Sequence, residues 1–168
     1  MSTRCSALWK KNRAMARLSI AFEAGLPYPD GPVAALHPDV GFDMMGLTDA
    51  LIVQPFFPVN IAWKNQGFAC DVELPTRRFS LAIVCCTRSK QETADLIAQA
   101  SAHADIVVVD GQKTDGVDSH YKTLRKLVPI QGTITKAHGR LFWFSGTDLS
   151  NLRSATQSFD GFITKPGV

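Results

Sequence analysis

The sequence predicts a single α/β domain with a mainly parallel, seven-stranded sheet closed by an antiparallel hairpin, and three observations carry that prediction. Strand-like apolar runs alternate with amphipathic helical segments, the order from which parallel sheets are built. The run Phe79–Cys86 is apolar almost throughout and β-branched in part, as suits a strand covered on both faces. Two final runs, Ile130–Lys136 and Leu141–Ser145, flank Ala137-His138-Gly139-Arg140, where His-Gly suits a tight turn.

The elements follow in order. Met15, Leu18 and Phe22 recur at helical spacing and predict an opening helix that stops near Gly25 and Pro27. Val33–Leu36 and Ala50–Gln54 are the first two strands, the second halted by Pro55. Pro58 and Gly67 bracket a short helix within Phe56–Gly67, and Cys70–Leu74 is the third strand. After the fourth strand, Phe79–Cys86, Ser89 and Glu92 form an S-x-x-E capping box, with Thr93, Ile97, Ala100 and Ala104 on one helical face. Asp105–Asp110 holds four consecutive apolar residues and is the fifth strand. Val117, Tyr121, Leu124 and Val128 then line a helix over Val117–Val128, ended by Pro129.

At 168 residues and 45% hydrophobic, the chain fits one compact domain with a core that needs no staples. Its apolar stretches are too short to span a bilayer and no signal peptide opens it, so a soluble, cytoplasmic protein without a membrane partner is expected. Cys5, Cys70, Cys85 and Cys86 form no C-x-x-C unit and no zinc-site spacing, and no metal is expected. Adjacent strand residues point to opposite faces, so Cys85 and Cys86 read as buried packing, with a vicinal redox pair as the alternative. Residues 1–22 carry Arg4, Lys10, Lys11, Arg13 and Arg17 without an acid, whereas the other thirteen of eighteen basic residues face fifteen acids. The expected organisation is a basic extension over residues 1–14, the domain over 15–154, and a linker over 155–168. For the extension, a phosphate-gripping arm, a solvated tail, a true start at Met15 and an organelle-targeting segment all remain open.

The chemistry-bearing positions are sparse. A nucleotide-gripping loop needs several close glycines, so that backbone N–H groups can approach the ligand. The turn after the first strand, Leu36-His37-Pro38-Asp39-Val40-Gly41-Phe42, has one glycine and a proline. The second strand ends at Gln54-Pro55, with no acid for a ribose, and the fourth ends at Cys85-Cys86-Thr87-Arg88. No catalytic and no cofactor-binding residue is assigned, and no Ser/His/Asp arrangement can be argued from spacing. His37, His103, His120 and His138 are isolated and read as surface or loop residues. At Asp110–Gly116, Lys113 could meet a phosphate at a helix start; alternatively Gly111 and Gly116 serve a turn and Asp115 caps the helix. Lys122, Arg125 and Lys126 oppose the apolar face of that helix, with Asp118 and Lys122 at a favourable spacing of four. Residues 111–153 hold seven Lys/Arg against three acids, and Lys113, Lys122, Arg125, Lys136, His138 and Arg140 are the candidate RNA-binding residues. Solvated helix surface is the plain alternative. Phe142-Trp143-Phe144 suits core packing, or base stacking if part of it is exposed.

Four segments carry a family resemblance: Ala21-Phe22-Glu23-Ala24-Gly25, Val109–Gly116 with Ser119, Thr135–Leu141, and Phe162–Val168. Over Ala16–Val168 the chain resembles the amino-terminal domain of the 16S ribosomal RNA guanine-N2 methyltransferases, which contain two fused methyltransferase-like halves. The resemblance implies a Rossmann-like methyltransferase fold with strand order 3-2-1-4-5-7-6 and a degenerate cofactor site. It implies that S-adenosylmethionine binds to a carboxyl-terminal half, absent from this chain, that carries an Asn-Pro-Pro-aromatic motif. The present half would support that catalytic domain and engage ribosomal RNA, and would be inactive alone. Two other readings stand beside it: a protein-interaction module without an RNA role, and an autonomous methyltransferase with an atypical cofactor site.

Overall fold

Continuous apolar runs dictate a sheet buried on both faces. The computed structural model describes residues 16–149. Its seven strands are β1 (Val33–Leu36), β2 (Leu51–Val53), β3 (Ala69–Asp71), β4 (Phe79–Cys85), β5 (Ala104–Gln112), β6 (Gly132–Lys136) and β7 (Gly139–Ser145), in the order β3-β2-β1-β4-β5-β7-β6. The first five pair in parallel, and β7 runs antiparallel between β5 and β6. Strand count, hairpin and order therefore agree with expectation. The expected extension over residues 1–14, the linker over 155–168, Cys5 and the Phe162–Val168 segment lie outside the described residues.

Side-chain alternation divides the core in two. Leu36, Val84, Val109, Phe142 and Phe144 face α3 (Lys90–His103) and α4 (Val117–Leu127). Ala35, Ile83, Val108 and Trp143 face the other way, towards α1 (Arg17–Glu23) and α2 (Phe57–Asn65). All of Phe142, Trp143 and Phe144 are buried, so the aromatic trio is core and offers no ring to a base. Cys85 and Cys86 likewise fall on opposite faces, and both are free thiols. Residues 37–50 join β1 to β2 without a helix; Met44, Leu47 and Ala50 of this loop fill the layer instead.

Two local predictions need correction. Ser89 caps α3, its Oγ accepting from the Glu92 N–H at 3.1 Å, but the Glu92 carboxylate sits 3.8 Å from Nδ1 of His37. The helix cap is satisfied from one side, and the acid is drawn to the end of β1. The hairpin turn is Ala137-His138, both with positive φ (54° and 57°), rather than His138-Gly139. Those signs define a type I′ turn, whose twist matches the flanking strands. Gly139 is already the first residue of β7, and packing explains its glycine. A Cβ there would lie 2.5 Å from Nη1 of Arg17 and 2.6 Å from the Gly111 carbonyl oxygen.

Candidate nucleic-acid interface

In open α/β sheets, ligands meet the carboxyl ends of the parallel strands. The hairpin reaches this same end, because Gln112, the last residue of β5, is paired with Gly139. Four hydrogen bonds, from three residues, pin it there. The Lys113 N–H donates to the His138 carbonyl at 3.0 Å. The Gln112 amide nitrogen donates to the Ala137 and His138 carbonyls, each at 3.1 Å. Nη1 of Arg17 donates to the Lys136 carbonyl at 2.9 Å. Gly111-Gln112 thus extends β5 two residues beyond its predicted end, and a short 3-10 turn, Lys113–Asp115, follows it, as the tight-turn alternative has it. Gly116, at φ 80°, takes the cap position of α4, and no side chain bonds there, so Asp115 does not cap that helix.

Arg17 is the residue the sequence reading misplaced. It is no part of an exposed basic arm: it is buried, with Nε and Nη2 donating to the two carboxylate oxygens of Asp110 at 2.7 and 3.1 Å. Burial raises the Asp110 carboxyl from its ordinary range, against the opposing pull of Arg17. The only sequence signal was an arginine beside Leu18 on an apolar helix face, matched by an acid at the end of an apolar strand.

The pinned hairpin presents the candidate cations. Lys136 and His138 are exposed at its tip and Lys113 beside it on the 3-10 turn, and their side chains make no hydrogen bond or ion pair among the described residues. Lys122 and Arg125 are exposed on α4, with the Arg125 guanidinium 5.9 Å from the Tyr121 ring centre. Arg140 is placed differently. Its Nε donates to Asp118 at 2.8 Å, its Nη1 to Thr133 Oγ1 at 3.0 Å, and it lies 4.1 Å over the Tyr121 ring. Asp118 therefore pairs with Arg140 and not with Lys122, and Arg140 fastens α4 to the hairpin.

The end of β2 is closed by the chain's own groups. Trp63 Nε1 and Gln54 Nε2 both donate to the Pro38 carbonyl, at 3.1 and 3.4 Å, and Asn60 Nδ2 donates to the Gln54 carbonyl at 2.8 Å. Gln54 is buried where a ribose-binding acid would stand. Beyond β1, β4 and β5 lies a cleft of about 330 Å³ lined by Asp39, Phe42, Cys86, Asp110 and Asp115. Burial pushes the Cys86 thiol up to about 12, and burial also raises the Cys85 thiol well above its ordinary value, so both stay protonated at neutral pH and neither is a thiolate nucleophile. Two histidines depart from the surface reading. His37, at φ 58°, is largely buried beside Glu92, and His120 is buried on α4. Among the described residues no His/Cys/Asp/Glu group could hold a metal ion, and no helix is long and apolar enough to cross a membrane.

No protein-family model and no curated protein matches the sequence. Solved structures do. The 16S rRNA N2 G1207 methyltransferase RsmC of T. thermophilus, in complex with AdoMet and guanosine, superimposes with a TM-score of 0.56 at 14% identity over 72% of this chain. The chain spans 36% of that protein's length. A Pyrococcus horikoshii protein assigned as an RNA methyltransferase gives a TM-score of 0.58 at 13% identity, over 77% of this chain and 81% of that one. An Escherichia coli rRNA methylase gives 0.55 at 10%, over 77% and 62%. The chain has the Rossmann-like methyltransferase fold.

Proposed function

We propose that this chain is a non-catalytic, methyltransferase-like domain that supports a catalytic methyltransferase domain and engages ribosomal RNA, within a cytoplasmic 16S rRNA guanine-N2 methyltransferase. One observation carries the reading: at the ligand-binding end of the sheet the cofactor positions are turned inward while the hairpin beside them offers free cations. The Pro38 carbonyl takes the donors of Gln54 and Trp63, and Lys113, Lys136 and His138 face solvent. Unpaired, exposed cations on a rigid edge suit phosphates, since each contact releases a condensed counterion. Lys113, Lys122, Arg125, Lys136 and His138 make that contact, and Arg140 acts through its hold on α4 and the hairpin. S-adenosylmethionine and the transferase chemistry belong to the partner domain. RsmC and the other rRNA methylase sharing the fold support the choice of RNA, although a ribosomal-protein methylase shares the fold as well.

Titration with a 16S rRNA fragment at several salt concentrations tests the reading. The double variant Lys113→Ala/Lys136→Ala should bind more weakly, with the slope of log K against log salt reduced by about 1.5. Unchanged affinity and slope would take the hairpin tip off the RNA face.

A further inference from the structure

At the far side of the same sheet end, the surface chemistry reverses. Phe56, Phe57 and Val72 follow the carboxyl ends of β2 and β3 and are 63%, 72% and 58% exposed. Two phenylalanine rings exposed to that degree present roughly 250 Å² of aromatic surface, approaching the size of patches that mark interaction sites. Phe56 also occupies the cap position of α2, where no side chain bonds the free N–H groups. Serine or aspartate would stabilise the helix there, so the aromatic residue is held against the local folding preference. Val72 leads into a cleft of about 650 Å³ whose floor includes Val53, Leu74 and Leu96. Glu73 and Glu92 are also on its lining, which includes His37 and His103 but no lysine or arginine.

We infer that this edge, Phe56, Phe57 and Val72 beside the acidic cleft, docks a basic amphipathic segment of a protein partner. Exposed aromatics anchor protein interfaces, and complementary charge at the rim fixes orientation and partner choice. Charge decides the occupant: the carboxylates that would repel an RNA backbone attract lysine and arginine. The site is also separate from the cationic hairpin. Strands β1, β4 and β5 lie between β2 and β7, a span of about 19 Å at the usual strand spacing. The inference does not depend on the RNA reading, because it uses different residues at the opposite side of the sheet end.

The test uses the whole chain and a fluorescein-labelled amphipathic Leu/Lys peptide of about four helical turns, with a Leu/Glu peptide of the same apolar face as control. Anisotropy should show saturable binding of the basic peptide, about tenfold tighter than the acidic one, and amide NMR shifts at Phe57 and Val72. Phe56→Ser/Phe57→Ser should weaken it by about tenfold, and Glu73→Lys alone by severalfold. Both changes fall on exposed positions, and Phe56→Ser supplies a cap, so folding is checked by a melting midpoint no lower than that of the unaltered chain. Lys113→Ala/Lys136→Ala should leave peptide binding intact, which keeps failure of this site distinct from failure of the RNA interface. Equal binding of the two peptides, no binding, or indifference to the phenylalanine changes would overturn the inference. So would loss of single-stranded RNA binding in Phe56→Ser/Phe57→Ser, which would make the patch a base-stacking platform instead.

Discussion

Arg17 and Asp110, 93 residues apart, meet in a two-pronged ion pair that joins the first helix to the end of β5. The same guanidinium holds the Lys136 carbonyl, so one side chain ties together α1, the sheet and the hairpin tip. Burial nevertheless raises the Asp110 carboxyl, so desolvation outweighs what the pair returns to it. Asp110→Ala, which strands a buried guanidinium, should destabilise the domain by about 3–5 kcal/mol in urea denaturation. Replacing both partners, as Arg17→Met/Asp110→Leu, should cost less than either single change.

The hairpin turn should be improvable. Ala137 and His138 both adopt positive φ, which residues with a Cβ resist and which Asn-Gly accepts. Ala137→Asn/His138→Gly should raise stability by about 1 kcal/mol, read as a higher urea midpoint with an unchanged slope. A loss of stability would mean that the His138 side chain contributes packing that outweighs the turn strain.

Acid should weaken the fold through its histidines. Burial lowers His120, reinforced by Lys90, and burial lowers His37 against the opposing charge of Glu92. A depressed histidine contributes stability that is whole above its unfolded value of about 6.5 and is lost as pH falls through the folded value. The urea midpoint should therefore drop between about pH 7 and pH 5. His120 Nε2 is buried without a hydrogen-bond partner among the described residues. His120→Leu should remove part of the acid sensitivity and stabilise the domain by about 1 kcal/mol at neutral pH.

Local signals in the sequence located most of the fold. Ser89 fixed the start of α3, and the apolar runs at β4 and β5 marked the sheet centre to within two residues. What escaped was long-range. Arg17 looked like one more cation in an acid-free segment because its partner is an aspartate at the end of a distant strand. His120 looked superficial because a single histidine carries no periodic mark, yet it falls on the buried stripe of α4 with Val117 and Leu124. At the strand ends the sequence told which groups were absent; only the fold brings Gln54 and Trp63 onto the Pro38 carbonyl. Among the candidate cations, exposure of Lys113, Lys136 and His138 followed from their place at a turn. The engagement of Arg140 by Asp118 needed the register of β7 against α4.

We propose that the methyltransferase architecture persists here without a working grip on a methyl donor. Calorimetric titration of S-adenosylmethionine into this chain tests it most directly. No saturable heat is expected up to about millimolar ligand. A one-to-one isotherm in the micromolar range would contradict it.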